Sequence, residues 1–434
     1  MMRPRVAFET LGCKLNQYET DAIAAGFLDL GWDIVDPAEP AQAYIVNTCT
    51  VTNKADRKSR NTLGHHLGKA GDPIVVVTGC FAESARESLE GKDGVTFVVP
   101  NGGKNGIAAL VDAHFRGEVA GPALPAPDPF GFPVHDRVFH TRASLKIQDG
   151  CDNFCSFCII PSVRGRAVSR PLAQVLDTAR AMVAAGRKEL VLTGVNLGRW
   201  RDGEASFTDL VAALLALEGD FRLRITSLEP EGLGEAFAAL VTHPKFCPHL
   251  HLCLQSGSPR TLLAMRREYS LDDYTTLVDR LRVRVPGLNL TTDLIVGFPG
   301  ETDEDFERSL EAVDRFGFGA VHVFPFSRRQ GTRADRMSDQ VPSERKASRA
   351  EALQQRSNGL RRQIMESLVG QTRTVLVETL DQGRTPTTRL RGLTEDYFPV
   401  WFPGQTPWNT FVSVRLVRVS DEAGEPIFEA EAVR

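Results

Sequence analysis

No run of apolar residues in this 434-residue chain approaches the roughly 20 needed to cross a bilayer. The start, Met1-Met2-Arg3-Pro4-Arg5-Val6, carries basic residues but no apolar segment of the kind that opens a secretory leader. Cysteine is scarce as well: eight in a chain this long cannot make a secreted disulfide scaffold. A reducing cytoplasmic setting with no membrane contact is therefore expected. Basic charge is not in excess either, since the net charge is −4, which argues against a generic nucleic-acid binder but leaves local patches open. What remains is ordinary for a soluble globular protein, with 42% hydrophobic and 24% charged residues. The length allows two or three domains with a large buried core.

The few cysteines are not scattered. Cys151, Cys155 and Cys158 stand in a C-x3-C-x2-C spacing inside one short stretch, Gly150 to Pro161, that can aim three thiolates at one point. An iron–sulfur cluster normally takes four cysteines, so three would leave one iron open to a small ligand. Three packed cysteines or part of a zinc knuckle are the bland alternatives. Zinc ligands usually come as two spaced pairs, and neither a second pair nor a His-x3-5-His follows.

A second set is dispersed. Apolar runs at 6–10, 44–47 and 74–78 each precede a helix-compatible stretch, so the first third reads as a parallel β-α-β-α-β unit. Each run ends at a cysteine: Cys13, Cys49 and Cys80. Right-handed crossovers put the carboxyl ends of such strands on one sheet edge, where ligands collect. Buried cysteine is common at strand ends, but three of three favour a second cluster site. The basic stretch Asn53 to Arg60 reads as a helix start that either meets phosphate or is simply solvated. Asn101 to Gly106 lacks Walker spacing and reads as a strand–helix turn. His65 and His66 read as surface residues.

Prolines between 121 and 129 mark a semi-rigid linker. Beyond it, strand-like runs at 143–148, 189–193, 222–227, 249–255, 288–296 and 319–326 alternate with helical segments. Six β-α units suggest a partial barrel rather than a closed one of eight. Polar turns follow the strands, and their residues Gly194, Asn196, Glu229, Gln255 and Gly297 are candidates for a cofactor-binding rim. Glycines there would permit close approach of a ligand. The expected organisation is 1–118 for the N-terminal domain, 119–138 for the linker, 139–367 for the barrel and 368–434 for a C-terminal module. The module shows five short strand-like runs, beginning at 372, 388, 398, 410 and 427, as in a small β-barrel. The fold class is thus α/β with an appended β-barrel.

The spacing Cys151-x3-Cys155-x2-Cys158, placed after the first strand of a six-unit βα domain, resembles the radical S-adenosylmethionine superfamily. Adding Leu11-Gly12-Cys13-Lys14-Leu15-Asn16-Gln17, Asn47-Thr48-Cys49-Thr50 and Val77-Thr78-Gly79-Cys80 makes the whole chain resemble the methylthiotransferases of that superfamily. Arg164-Gly165-Arg166, Ser169-Arg170-Pro171 and Leu254-Gln255-Ser256-Gly257-Ser258 fit the same pattern. The resemblance implies two 4Fe-4S clusters, one on Cys151, Cys155 and Cys158 and an auxiliary one on Cys13, Cys49 and Cys80, together with S-adenosylmethionine as cofactor. It implies a 5′-deoxyadenosyl radical that takes hydrogen from carbon 2 of an adenine, where a methylthio group is installed. A reducing electron-donor protein, a sulfur donor and tRNA are the implied partners.

The stretches at 13–20 and 50–60 are most similar to the branch acting on N6-threonylcarbamoyladenosine beside the tRNA anticodon. Sister enzymes acting on isopentenyladenosine or on a ribosomal protein are the alternatives. A non-catalytic iron–sulfur RNA-binding sensor is the alternative of another class. Cys253 stands where the related strand usually has proline, and both it and Cys247 read as packing. The module's position and Gly392 to Tyr397 resemble the TRAM domain, a tRNA-binding module. Residues 371–434 nevertheless hold more acids than bases. No acidic residue lies between Ile159 and Leu176, so Arg164, Arg166 and Arg170 are expected to present an unopposed positive field to RNA. The charged stretch 343–368 reads either as a solvated or as an RNA-facing helix.

Overall fold

The computed structural model describes residues 3–69, 71–118, 128–132, 139–378, 389–422 and 424–433. Most of the proline-rich linker and Thr388, the expected start of one strand, lie outside the described residues. The chain forms two compact units. The first takes in Met1–His140, Lys146–Arg170 and Ser327–Asp335; the second takes in Thr141–Leu145, Pro171–Phe326 and Arg336–Arg434.

The first unit is built on a five-stranded parallel sheet of β1 (Arg5–Thr10), β2 (Asp33–Val35), β3 (Ala43–Thr48), β4 (Ile74–Gly79) and β5 (Phe97–Val99), in the order β2-β1-β3-β4-β5. This is a doubly wound order with its switch point between β1 and β3. Every residue of β3 and β4 is buried, which is why these strands read as continuous Val/Ile runs rather than alternating ones. One sheet face sets Ile45 and Val76 against Ile23 and Phe27 of α1 (Lys14–Asp29) and Val111 of α4 (Ile107–Phe115). The other sets Val75 and Val77 against Leu63 of α2 (Asn53–Leu67) and Phe81 of α3 (Cys80–Ser84). β2 and β5 have three residues each, too few for a periodic signal, and the sequence reading missed both.

His66 is not a surface residue. Helical spacing puts it on the buried face of α2 with Ser59 and Leu63, where it stacks on Tyr44 at 4.7 Å; His65 is exposed as expected.

In the second unit six βα repeats are recognisable, with the third strand split in two. β6 (Ala143–Lys146), β7 (Glu189–Thr193) and β8 (Arg222–Ile225) form one sheet in the order β8-β7-β6. β9 (Ser227–Leu228), β10 (His249–Leu252), β11 (Asn289–Val296) and β12 (Ala320–Pro325) form a second, with parallel pairing throughout. Strands in chain order with helices between them give the partial (β/α)6 barrel.

The C-terminal strands β13 (Thr372–Glu378), β14 (Arg389–Thr394), β15 (Pro399–Pro403), β16 (Phe411–Glu422) and β17 (Glu425–Ala432) close into a barrel in the order β13-β14-β15-β17-β16. Val375, Val400, Phe402, Val414 and Phe428 fill it, and Met365 from the helix Ser343–Leu368 packs against them. Buried Glu189 accepts from Arg222 and Arg224 (2.6 Å each), and these guanidiniums donate onward to the carbonyls of Thr374, Leu393 and Thr394. The small barrel is thereby tied to the start of β7 and β8. In the helix Ser343–Leu368, Arg349, Arg356, Arg361 and Arg362 meet Glu301, Asp314, Glu425 and Asp421 of the protein itself.

Candidate cluster sites

Cys13 follows β1, Cys49 follows β3 and Cys80 follows β4, so the three stand at the carboxyl ends of adjacent strands. Cys13 is the exposed N-cap residue of α1, whereas Cys49 and Cys80 are buried. Two glycines make the convergence possible. Gly12 has φ +101°, and a Cβ there would lie 2.7 Å from Cys49 Cβ and 2.8 Å from its Sγ. Gly79 has φ +94°, and a Cβ would meet the Thr48 carbonyl oxygen at 2.3 Å. Both positions need a residue without a side chain.

The loop after β3 is held from behind. Ser59 Oγ accepts from the Cys49 amide (3.2 Å) and donates to its carbonyl (2.9 Å). Arg329 donates to Thr50 Oγ1 and Asp56 Oδ2, both at 2.8 Å. The short segment 327–335 is a support for this loop that sequence reading did not find.

Burial pushes the Cys49 thiol up to about 11 and raises Cys80 as well, while Cys13 acts on both through space and Arg164 works in the opposite direction. These mutual effects place the three sulfurs in one electrostatic neighbourhood. A tetrahedral zinc with Zn–S bonds of about 2.3 Å needs sulfurs about 3.8 Å apart. Among the described residues no three cysteine sulfurs lie within 4.8 Å of one another. The all-thiol donor set, three cysteines at adjacent strand ends, fits a cluster.

Cys151, Cys155 and Cys158 lie in the same compact unit and are all half-buried. Their loop opens through Gly150, directly after Gln148 and Asp149, which pair with Ser169 and Val168; its φ is +67° and a Cβ there would sit 2.0 Å from the Arg166 carbonyl oxygen. The Cys151 amide donates to Gly165 O (3.2 Å), and the Cys158 amide closes a turn onto Cys155 O (3.0 Å). Ser156 O accepts from the Ala334 amide at 2.8 Å. The donors here too are three thiols on one loop, a set that fits a cluster with one iron left open.

Between the two cysteine sets runs a network of buried charge. Glu19, six residues after Cys13, accepts from Lys146 (2.8 Å), Arg164 (3.0 and 3.1 Å) and Lys104. Asp149, two residues before Cys151, takes Lys146 at 2.6 Å and Arg164 at 3.0 Å. Asn16 and Asn47, beside the first cysteine set, bind Arg164 (2.7 Å) and Lys104 (3.1 Å). The Glu19, Lys104, Lys146 and Arg164 side chains are no more than 1% exposed. Burial alone would raise Glu19, but Arg164, Lys104 and Lys146 hold its carboxyl well below the ordinary carboxylate range. Three cations face two carboxylates, so the network carries a surplus positive charge, and both Arg164 and Lys104 act on Cys80. Arg164 and Lys104 thus work against the upward push that burial gives the Cys80 thiol.

The expected unopposed field is therefore corrected. Arg164 is buried and opposed by Glu19 and Asp149, acids remote in sequence or just outside the acid-free stretch. Arg166 is exposed but paired with Asp152 at 2.6 Å, and Arg170 is buried.

Gly194, Asn196, Glu229, Gln255 and Gly297 belong to the second unit. Gly194 and Asn196 follow β7, and a Cβ on neighbouring Gly198 would lie 3.7 Å from the Glu229 carbonyl, so the turns after β7 and β9 adjoin. The Glu229 carboxylate is paired with buried Arg267, a partner with no sequence signal. Gln255 adopts φ +67°, donates to Asp293 O (2.8 Å) and accepts from Ile295 N (2.9 Å). Gly297, at φ +69°, gives its amide to both Glu301 oxygens at 3.0 Å, and Arg349 in turn holds Glu301. Cys247 and Cys253 are buried.

Residues 145–313 match the radical SAM superfamily, and residues 5–100 match a family described as uncharacterized protein family UPF0004. The threonylcarbamoyladenosine tRNA methylthiotransferase MtaB of Bacillus subtilis is 35% identical over 99% of this chain and 96% of its own. Its namesake in Thermotoga maritima is also 35% identical, over 96% and 95%. The tRNA-2-methylthio-N(6)-dimethylallyladenosine synthase of Endomicrobium trichonymphae is 33% identical over 86% and 89%. Among solved structures, the radical S-adenosylmethionine methyltransferase TsrM of Kitasatospora setae superposes with TM-score 0.57 over 77% of each chain at 17% identity, a likeness of fold.

Proposed function

The chain belongs to the radical S-adenosylmethionine methylthiotransferases, and from that membership we propose that it methylthiolates carbon 2 of N6-threonylcarbamoyladenosine beside the tRNA anticodon. The observation that supports this reading is the presence, in one compact unit, of two cysteine triads joined by a single buried charge network.

In this reading Cys151, Cys155 and Cys158 hold one 4Fe-4S cluster, and Cys13, Cys49 and Cys80 hold a second. When bound, the two clusters and S-adenosylmethionine supply a deoxyadenosyl radical and a methylthio group, which an aromatic C–H with no accessible acid–base route requires. The protein's part is placement and charge. Gly12, Gly79 and Gly150 let the backbone bring the cysteines in, and Ser59 and Arg329 brace the Cys49 loop. Glu19, Asp149 and Arg164 fix the two sets against each other, while the surplus positive charge offsets the thiolates. Gly194, Asn196, Glu229, Gln255 and Gly297 contribute to binding S-adenosylmethionine. Residues 368–434 serve as the TRAM-like tRNA-binding module within the four-part division at 118, 138 and 367. An electron-donor protein and a sulfur donor complete the system in the cytoplasm. No helix among the described residues is long and apolar enough to cross a membrane.

The test is mass spectrometry of tRNA nucleosides from a strain lacking the gene. Methylthiolated threonylcarbamoyladenosine disappears and its unmodified precursor accumulates. Unchanged levels refute the proposal, and loss of the isopentenyladenosine derivative instead assigns the chain to the sister activity.

A further inference from the structure

We propose that His251, Asp293 and His322, on three neighbouring strands of the second unit, form a binding site for a divalent transition-metal ion separate from the cysteine sites. Among the described residues they are the group whose ligand atoms all lie within 4.8 Å of one another. The placement follows from strand register. Asp293 on β11 is the direct partner of His322 on β12, and His251 on β10 pairs with Thr291, two residues before Asp293 and hence on the same face. Three adjacent strands in fixed parallel register hold these donors more rigidly than loops would.

The spacing suits an ion. Bonds of about 2.0–2.1 Å to nitrogen and oxygen put tetrahedral ligand atoms about 3.3–3.4 Å apart. His251 Nε2 already stands 3.2 Å from Asp293 Oδ1, and the His251 and His322 rings are 5.5 Å apart between centroids.

The surroundings orient the ligand as metal sites require. His251 Nδ1 is 3.0 Å from Thr291 Oγ1, which is 3.1 Å from His249 Nε2. With His251 Nδ1–H donating to Thr291, and the Thr291 hydroxyl donating to His249, the free pair of His251 falls on Nε2, facing Asp293. His249 is itself fixed by stacking on Tyr397 at 4.4 Å. Two imidazoles and one carboxylate prefer Zn2+, Fe2+ or Co2+ to Mg2+ or Ca2+. Three protein donors leave coordination positions open. His251 is buried and His322 exposed, so those positions lie toward solvent and would accept an oxygen-donor ligand.

The experiment uses the full chain with its cysteine sites loaded anaerobically with iron and sulfide, titrated with Co2+. A single equivalent is expected to bind with ligand-field bands and without the thiolate-to-cobalt charge transfer that cysteine ligation would give. Affinity falls at least ~10-fold in His322→Ala and Asp293→Asn and about 10–100-fold in Thr291→Val, the scale of an outer-shell loss. His65→Ala, at an exposed histidine, binds as the parent does. His322 is exposed, so His322→Ala retains the parent's melting temperature, and the near-isosteric Asp293→Asn provides a second reading. No cobalt bound by the parent, thiolate bands, or unchanged binding in the variants overturns the proposal. Each of these results is independent of which tRNA nucleoside is modified.

Discussion

Neutralising Glu19 is the sharpest perturbation of the charge network. Its carboxylate receives Lys104, Lys146 and Arg164 with essentially no solvent contact. In Glu19→Gln the surplus rises by one charge, because three buried cations then face Asp149 alone. The amide also turns an NH2 group toward cations, where an acceptor is needed. Breaking a buried ion pair from one side costs about 3–5 kcal/mol, and three partners put this variant toward the upper end. The assay is urea denaturation with hydrogen exchange read on peptides covering α1 and residues 147–170, so that the first unit is followed by itself. Adding Lys104→Met returns the surplus to its original value, and the double variant should recover part of the loss, with a coupling of about 0.5–3 kcal/mol. The sign with pH follows from the depressed carboxyl. Its contribution is present above the unfolded value of about 4.3 and fades as pH falls toward the folded one, so parent and variant converge in acid. A cost below about 1 kcal/mol, or strict additivity with Lys104→Met, would refute the network as a structural link between the cysteine sets.

Three further outcomes are expected. In Gly79→Ala the added methyl meets the Thr48 carbonyl, so anaerobic reconstitution should bring iron from about eight to about four per chain, as in Cys80→Ala; full loading would contradict the assigned first site. In the metal-free protein Cys49 is buried with its thiol pushed up to about 11, so alkylation, followed by peptide mapping, should be slow at neutral pH and rise about tenfold per pH unit up to that value. Exposed Cys13 should react first, and equal rates would count against the burial described. Glu189 is held well below the carboxylate range by Arg224 and Arg222 against the opposing effect of burial; Glu189→Gln should lower the melting temperature at neutral pH, with the gap closing below about pH 4.3, whereas a gap constant with pH would remove the ion pair as its cause.

The parts of the molecule visible in the sequence are those encoded locally. β3 and β4 announce themselves because strands buried on both faces must be Val/Ile-rich, and the cysteines at their ends follow from parallel topology. The C-x3-C-x2-C loop is legible from spacing alone. Residues whose meaning depends on distant partners were not legible. Glu19 and Lys104 are 85 positions apart, Glu19 and Arg164 145, and nothing in the local composition links them. Arg164 looked exposed because its neighbours in sequence lack acids, yet its neighbours in space supply two. His66 resembled His65 until the helix phase separated them. The triad of His251, Asp293 and His322 spans three strands and was seen only in part, as one strand face bearing two histidines.

The inclusion of Lys146–Arg170 in the first unit bears on how such an enzyme can be cut or recombined. A fragment beginning after the linker keeps the C-x3-C-x2-C loop and Asp149 but loses Glu19 and Asn16, which together with Asp149 hold Arg164 six residues beyond Cys158. The loop would then be tethered at its ends while its flank was left to water. The cassette that can be transplanted intact is therefore not the stretch that spells the motif. It is a discontinuous piece of chain, and any truncation, fusion or domain exchange that respects only linear boundaries severs it.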